Sequence, residues 1–198
     1  LSYLRISPQT AWVDPIPFSW PIFFGLASGI LVVILPFIRQ WWRTPLEPRS
    51  KTPGPLPWWG WIGLISGALA WLLAWTRFGW FADFQRHTFT PLWLSYILVI
   101  NALTYRRTGQ SMITHRTKFF LALFPVSAVF WWFFEYLNRF TCNWHYLGGL
   151  DSFSTKEYIA FASISFSTVL PAVLSTMHWL ASYPRIDRAF AGWVPVTL

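Results

Sequence analysis

Five long apolar stretches constrain the fold of this chain more than any other feature of its sequence. They cover residues 18–38, 58–76, 91–105, 119–138 and 158–180. A membrane-spanning helix needs about 20 mostly apolar residues. The third stretch is short, so we expect it to extend backwards into the preceding WFADFQRHTF segment, unless that segment forms an interfacial helix of its own. The sequence therefore predicts an all-α, polytopic transmembrane helix bundle with about five spans.

The composition supports a membrane location. Of the 198 residues, 55% are hydrophobic and only 11% are charged, whereas a soluble domain is about one quarter charged. The chain contains 16 Trp and 19 Phe, and amphipathic aromatic residues concentrate at membrane interfaces. The formal charge of +8 does not indicate nucleic acid, because Lys and Arg occur in short clusters between apolar stretches and form no continuous basic face. The chain is therefore predicted to be an integral membrane protein that contacts lipid.

The apolar stretches are expected to form one domain, residues 1–198. The loop RTPLEPRSKTPGPLP between the first two stretches contains repeated prolines, which exclude a helix there, and no internal repeat is apparent. Cys142 is the single cysteine, which excludes an internal disulfide and a multi-cysteine metal site. Because the sequence begins at Leu1 and not at Met, we expect the chain to be processed or part of a longer product.

The distribution of Lys and Arg predicts the orientation, because positively charged loops are retained on the cytoplasmic side. One side of the membrane holds ten cations: Arg39, Arg43, Arg49, Lys51, Arg106, Arg107, Arg116, Lys118, Arg185 and Arg188. The other side holds five: Arg5, Arg77, Arg86, Arg139 and Lys156. We therefore expect the N-terminus outside and the C-terminus in the cytoplasm, in a bacterial-type inner membrane.

Small residues predict where helices approach each other. The first two apolar stretches carry Gly-x-x-x-Gly, at Gly25 and Gly29 and at Gly63 and Gly67. This spacing lets two helix backbones come close in lipid. It favours a contact between the first and second helices, although such motifs also arise by chance in apolar segments.

Two residues inside the later stretches are expected to shape or join the helices. Pro171 removes a backbone hydrogen bond to the carbonyl of Ser167, and the hydroxyls of Ser165, Ser167 and Thr168 can help to satisfy the freed groups. We therefore expect a kink in the last stretch. Asn101 is the strongly polar residue of the third stretch, and we expect it to form a hydrogen bond between helices.

A polar cluster follows the aromatic run FWWFF at the end of the fourth stretch. Its members are Glu135, Asn138, Arg139, Asn143 and His145. The first three share a helical face, at i, i+3 and i+4, and Asn143, His145 and Tyr146 follow directly. Counted from Lys118, Glu135 lies roughly 25 Å along the helix, near the outer boundary of a hydrocarbon core about 30 Å thick.

This polar cluster has two interpretations. A Glu135–Arg139 ion pair at the membrane interface would orient the helix and do no chemistry. Alternatively, a carboxylate among aromatic rings with a nearby imidazole would suit acid–base chemistry on a lipid-soluble substrate, or binding of a polar headgroup or cofactor edge. The histidines of the chain do not lie at matched depths in two spans, so no haem pair is predicted and the cofactor stays unassigned.

The region from 117 to 180 also resembles small membrane carotenoid cyclases of the lycopene cyclase type. The resemblance consists of an acidic helix end, a short link containing NWHY and a following helix with Pro171. It implies an enzyme that acts on a carotenoid. The adjacent glutamates expected near the Pro-containing helix are missing, because STVLPAVLST carries no acidic residue. No catalytic residue is therefore carried over.

Three functional classes remain open. The first is a non-catalytic subunit of a larger membrane assembly, packed against other membrane proteins, lipid, or a hydrophobic pigment or quinone. The second is a small membrane enzyme acting on an isoprenoid, carotenoid or lipid near the outer face. A channel or transporter is disfavoured, because no span carries a charged residue at mid-depth and no inverted repeat is visible. Because few polar residues are available for chemistry, the sequence favours the non-catalytic subunit.

Overall fold

The computed structural model describes residues 17–45, 53–141, 143–144, 146 and 153–191. Every regular element in these ranges is helical. The α-helices are α1 Trp20–Arg43, α2 Trp58–Trp75, α3 Phe89–Thr108, α4 Met112–His115, α5 Thr117–Thr141, α6 Thr155–Ser167, α7 Val169–Ala181 and α8 Pro184–Phe190. A 3-10 helix, Gly79–His87, lies between α2 and α3. The prediction of an all-helical chain is confirmed for this part of the sequence.

Four helical segments are long and apolar enough to cross a membrane. They are Trp20–Arg43, Trp58–Trp75, Thr117–Thr141 and Thr155–Ala181, which joins α6 and α7. These correspond to four of the five predicted spans. Most of the segment WFADFQRHTF forms the separate 3-10 helix, and α3 begins at Phe89, only two residues before the predicted third stretch.

Helix α3 buries polar as well as apolar residues. Its buried residues include Ser95, Asn101 and Thr104. A hydroxyl in a helix can bond to the carbonyl four residues earlier, as Thr104 does to Ile100 at 2.8 Å.

The second glycine motif packs on α3. A Cβ at Gly63 would lie 2.9 Å from the Cβ of Leu98, and one at Gly67 would lie 3.3 Å from the Cβ of Ser95. This motif therefore packs on the third helix, and a contact between the first and second helices stays a prediction. A Cβ at Gly25 or Gly29 would meet no atom within 4 Å.

Asn101 joins three helices, which bears out its predicted part as a helix–helix hydrogen bond. Its Nδ2 donates to the Ser175 hydroxyl of α7 at 2.8 Å, and its Oδ1 accepts from the backbone N–H of Ile113 in α4 at 3.4 Å. Around it lies an apolar core of Ile97, Met112, Phe120, Leu123 and Ala172. The amide thus links three helices where lipid supplies no hydrogen-bond partner.

The last apolar stretch is interrupted at Thr168, where α6 ends and α7 begins. The hydroxyl of Ser127 in α5 donates to the carbonyl of Phe166 at 2.5 Å and accepts from the N–H of Leu170 at 3.0 Å. In a continuous helix these two backbone groups would bond to each other. Thr168 also donates to the carbonyl of Ser165 at 2.7 Å. An inserted side chain of this kind is a known cause of helix bending.

The chain divides into two compact units by its contacts. One contains Pro53–Trp179, and the other contains Val13–Thr52 with Leu180–Leu198. Whether both belong to a single domain stays a prediction.

Within the second unit, α8 caps the end of α1. Arg185 donates to the carbonyls of Trp41 at 2.7 Å and Thr44 at 3.1 Å. Its guanidinium also lies 4.5 Å from the centre of the Trp41 ring. The last carbonyls of a helix lack intrahelical donors and carry partial negative charge, so a cation here stabilises the end of α1.

Candidate functional site

The polar cluster lies where α5 ends and the chain turns towards α6. Glu135 and Asn138 stand one turn apart on α5, and both are buried, with 7% and 1% of their surface exposed. Residues at i and i+3 share a helix face, so both side chains meet the segment that follows α5. The described residues of that segment are Asn143, Trp144 and Tyr146.

Asn138 holds the backbone of Trp144 from both sides. Its Nδ2 donates to the Trp144 carbonyl at 2.8 Å, and its Oδ1 accepts from the Trp144 N–H at 3.2 Å. A side-chain amide that bonds to both the N–H and the C=O of one residue takes the place of a backbone partner such as a neighbouring strand. These two hydrogen bonds satisfy backbone groups of the segment that follows α5, at the edge of the apolar region.

Glu135 accepts two hydrogen bonds from aromatic side chains. Its Oε1 receives the indole N–H of Trp144 at 3.1 Å and the hydroxyl of Tyr146 at 2.5 Å. Hydrogen bonds to a charged acceptor are among the stronger ones in proteins. Burial raises the pKa of Tyr146 well above its usual range, and the hydrogen bond to Glu135 raises it further, while a hydrogen bond with Trp131 acts in the opposite direction. Tyr146 is therefore a neutral donor at ordinary pH.

The structure brings together only part of the predicted cluster. Glu135 and Asn138 contact the same short segment, whereas Asn143 in that segment is exposed. Arg139 is half-buried, and its pairing with Glu135 stays a prediction. His145 lies outside the described residues.

Trp144 was not predicted to belong to the site, whereas Tyr146 was expected among the polar groups that follow the helix. The indole of Trp144 and the hydroxyl of Tyr146 complete the contacts of Glu135. The signal available in the sequence was their position in NWHY, directly after the helix that carries the carboxylate. Hydrogen-bonding aromatics next to a buried acid are the donors that a membrane interface supplies.

The described polar groups of the cluster bond to other groups of this chain. Among the described residues, no group of three or more His, Cys, Asp or Glu side chains could hold a metal ion. In the same part of the chain, the buried side-chain nitrogens and oxygens that lack a hydrogen-bond partner are Nδ1 of His87 and Nδ1 of His178. Both of these nitrogens lie outside the polar cluster, whose described buried side-chain atoms all have partners in this chain.

Variants at Glu135 distinguish a carboxylate that only stabilises the fold from one that takes part in a reaction. Glu135→Gln retains an oxygen acceptor, so we expect its melting temperature in detergent to stay near that of the wild type. Glu135→Leu strands the donors of Trp144 and Tyr146. Because these donors are partly exposed, we expect a loss of about 1–2 kcal/mol, at the lower end of the cost of an unsatisfied group. Loss of a bound molecule or of activity in folded Glu135→Gln would contradict the structural interpretation.

Arg139 provides the companion test of the predicted ion pair. If Arg139 neutralises a buried Glu135, then Arg139→Leu alone should be less stable than the double variant Glu135→Gln with Arg139→Leu, because a buried unpaired charge is costly. Equal melting temperatures for the two proteins would exclude a stabilising pair.

Comparison of the chain with protein-family models, with curated proteins and with solved structures found no match in any of the three.

Proposed function

We propose that this chain is a non-catalytic subunit of a larger membrane assembly. The observation that carries the proposal is that four buried polar side chains form their hydrogen bonds within the chain. The amide of Asn101, the hydroxyl of Ser127, the carboxylate of Glu135 and the amide of Asn138 all bond to groups of the same chain. Catalysis on a lipid-soluble substrate needs a general acid or base that is available to the substrate, and a scaffold needs none.

Helix α1 is the surface that we assign to another membrane-embedded helical subunit. Its most apolar window has a mean hydropathy of 2.4, and none of its 24 residues is buried within its own compact unit. Lipid can cover an apolar helix. However, Gly25 and Gly29 leave an open notch on one face, which is the feature that lets a second helix approach closely in a membrane.

The proposed topology has α3 as a fifth span, with the N-terminus outside and the C-terminus in the cytoplasm of a bacterial-type inner membrane. The ten-to-five distribution of cations supports this orientation. The 20 residues of α3 are about 30 Å long, which matches the hydrocarbon core. A reporter fused after Leu198 should therefore read cytoplasmic, and a periplasmic reading would contradict the topology.

The assembly is tested by mild detergent extraction of the tagged chain followed by native electrophoresis. We expect the wild type to migrate with other membrane subunits. Gly25→Leu with Gly29→Leu fills the notch of α1 without a clash inside the chain, so this variant should fold but leave the complex. Ile34→Phe adds bulk to the opposite face of the same helix, because Ile34 lies about two and a half turns after Gly25, and it serves as the matched control.

Two results would count against the proposed subunit. Unchanged migration of the double glycine variant would remove α1 as the contact. A stable monomer that converts an isoprenoid, carotenoid or lipid would contradict the subunit proposal and support the enzyme alternative.

A further inference from the structure

A cleft with a basic lining lies where α2 ends and the 3-10 helix Gly79–His87 begins. Its volume is about 550 Å³, and its lining residues are Ala74, Arg77, Ala82, Asp83, Gln85 and Arg86. The amide of Gln85 donates to the carbonyl of Ala74 at 2.5 Å. This bond ties the 3-10 helix to the last turn of α2, so the two arginines project from a connection with a defined geometry.

Exposed aromatic rings place this cleft at the membrane interface. Trp75 and Trp80 each have 72% of their surface exposed, and Phe84 has 61%. Phe78 stacks on Trp80 with the ring centres 5.8 Å apart. Trp is enriched at the depth of lipid headgroups. A cleft between such residues and the end of an apolar helix faces the headgroup layer.

The charges of the lining favour an anion. Arg77 and Arg86 carry two positive charges against the single negative charge of Asp83. Arg86 also lies 4.6 Å from the centre of the Phe153 ring. This contact places Arg86 beside the cleft. A guanidinium binds phosphate oxygens through two parallel N–H groups, which an ammonium cannot do.

We propose that this cleft binds a phosphate group, namely that of a phospholipid headgroup. The acyl chains would lie along the exposed aromatic side of the 3-10 helix, while Arg77 and Arg86 contact the phosphate oxygens. The site is independent of the proposed subunit function, because it uses neither α1 nor the polar cluster around Glu135. It supplies a lipid contact on the connection between α2 and α3.

The binding is measured with the full chain by native mass spectrometry in a detergent that retains lipid. Phosphatidylglycerol is added as the probe, and diacylglycerol serves as the matched lipid without phosphate. We expect the wild type to retain phosphatidylglycerol and not diacylglycerol. Arg77→Gln with Arg86→Gln should weaken phosphatidylglycerol binding at least tenfold. Arg77→Lys, which keeps the charge and loses the paired N–H groups, should give an intermediate loss.

Lys156→Gln is the matched control, because it removes an exposed positive charge outside the cleft. It should bind phosphatidylglycerol like the wild type. An equal loss in Lys156→Gln and in the double arginine variant would overturn the proposal, since it would indicate general charge attraction. Unchanged binding in the double variant, or equal retention of diacylglycerol, would also overturn it. Competition by inorganic phosphate at the same concentration as the lipid would reject the phospholipid as the source of the phosphate.

Discussion

Replacing Ser127 with alanine is expected to destabilise the protein by about 2–4 kcal/mol, because it leaves the carbonyl of Phe166 and the N–H of Leu170 without their partner. Ser127 is 1% exposed, so water or lipid headgroups cannot replace its hydroxyl. The two backbone groups could bond directly only if the turn at Thr168 straightened. Pro171 opposes that change, since it has no N–H to continue the helix.

The measurement is thermal or denaturant unfolding in one detergent, with Ser167→Ala as the matched control. The hydroxyl of Ser167 bonds to the carbonyl of Ile164 at an exposed position, so its loss should change stability by less than about 0.5 kcal/mol. Ser127→Cys keeps a weak donor and should fall between the two. If Ser127→Ala were as stable as Ser167→Ala, the hydroxyl would have no structural role in the helix break.

Replacing Gly63 with leucine should separate α2 from α3 and prevent stable folding. A Cβ alone would lie 2.9 Å from the Cβ of Leu98 and 3.2 Å from the backbone nitrogen of Val99. The backbone nitrogen cannot move without moving α3, so even Gly63→Ala should cost about 1–3 kcal/mol, as overpacking in a core does. The larger leucine should reduce the folded yield in the membrane.

Gly25→Leu is the matched control for this prediction. It makes the same chemical change in the middle of another apolar helix, but a Cβ there meets no atom within 4 Å. Its folded yield should equal or exceed that of the wild type, because leucine is a better helix former than glycine. A normal melting temperature for Gly63→Leu, measured by size-exclusion chromatography after heating, would contradict the close α2–α3 packing.

The sequence alone determined the class of the protein and most of its helices. The length and apolarity of a stretch are local properties, so four of the five predicted spans agree with helices that are long and apolar enough to cross a membrane. The sequence also predicted that Asn101 forms a hydrogen bond between helices, and the structure has this bond. It predicted a kink near Pro171, and the structure has a helix interruption at Thr168. It also located Glu135 and Asn138 on one face of a helix.

Tertiary structure alone decided which faces meet. Gly63 could have packed on any apolar helix, and only the folded bundle assigns it to α3. The hydroxyl of Ser127 enters the backbone of a helix that begins nearly 30 residues later, and no local pattern in α5 indicates that contact. Asn138 and Glu135 likewise find their partners in the turn after α5. The physical reason is the same in each case: a hydrogen bond or a close backbone approach depends on the three-dimensional position of both partners, whereas helix formation and apolarity depend on the local sequence.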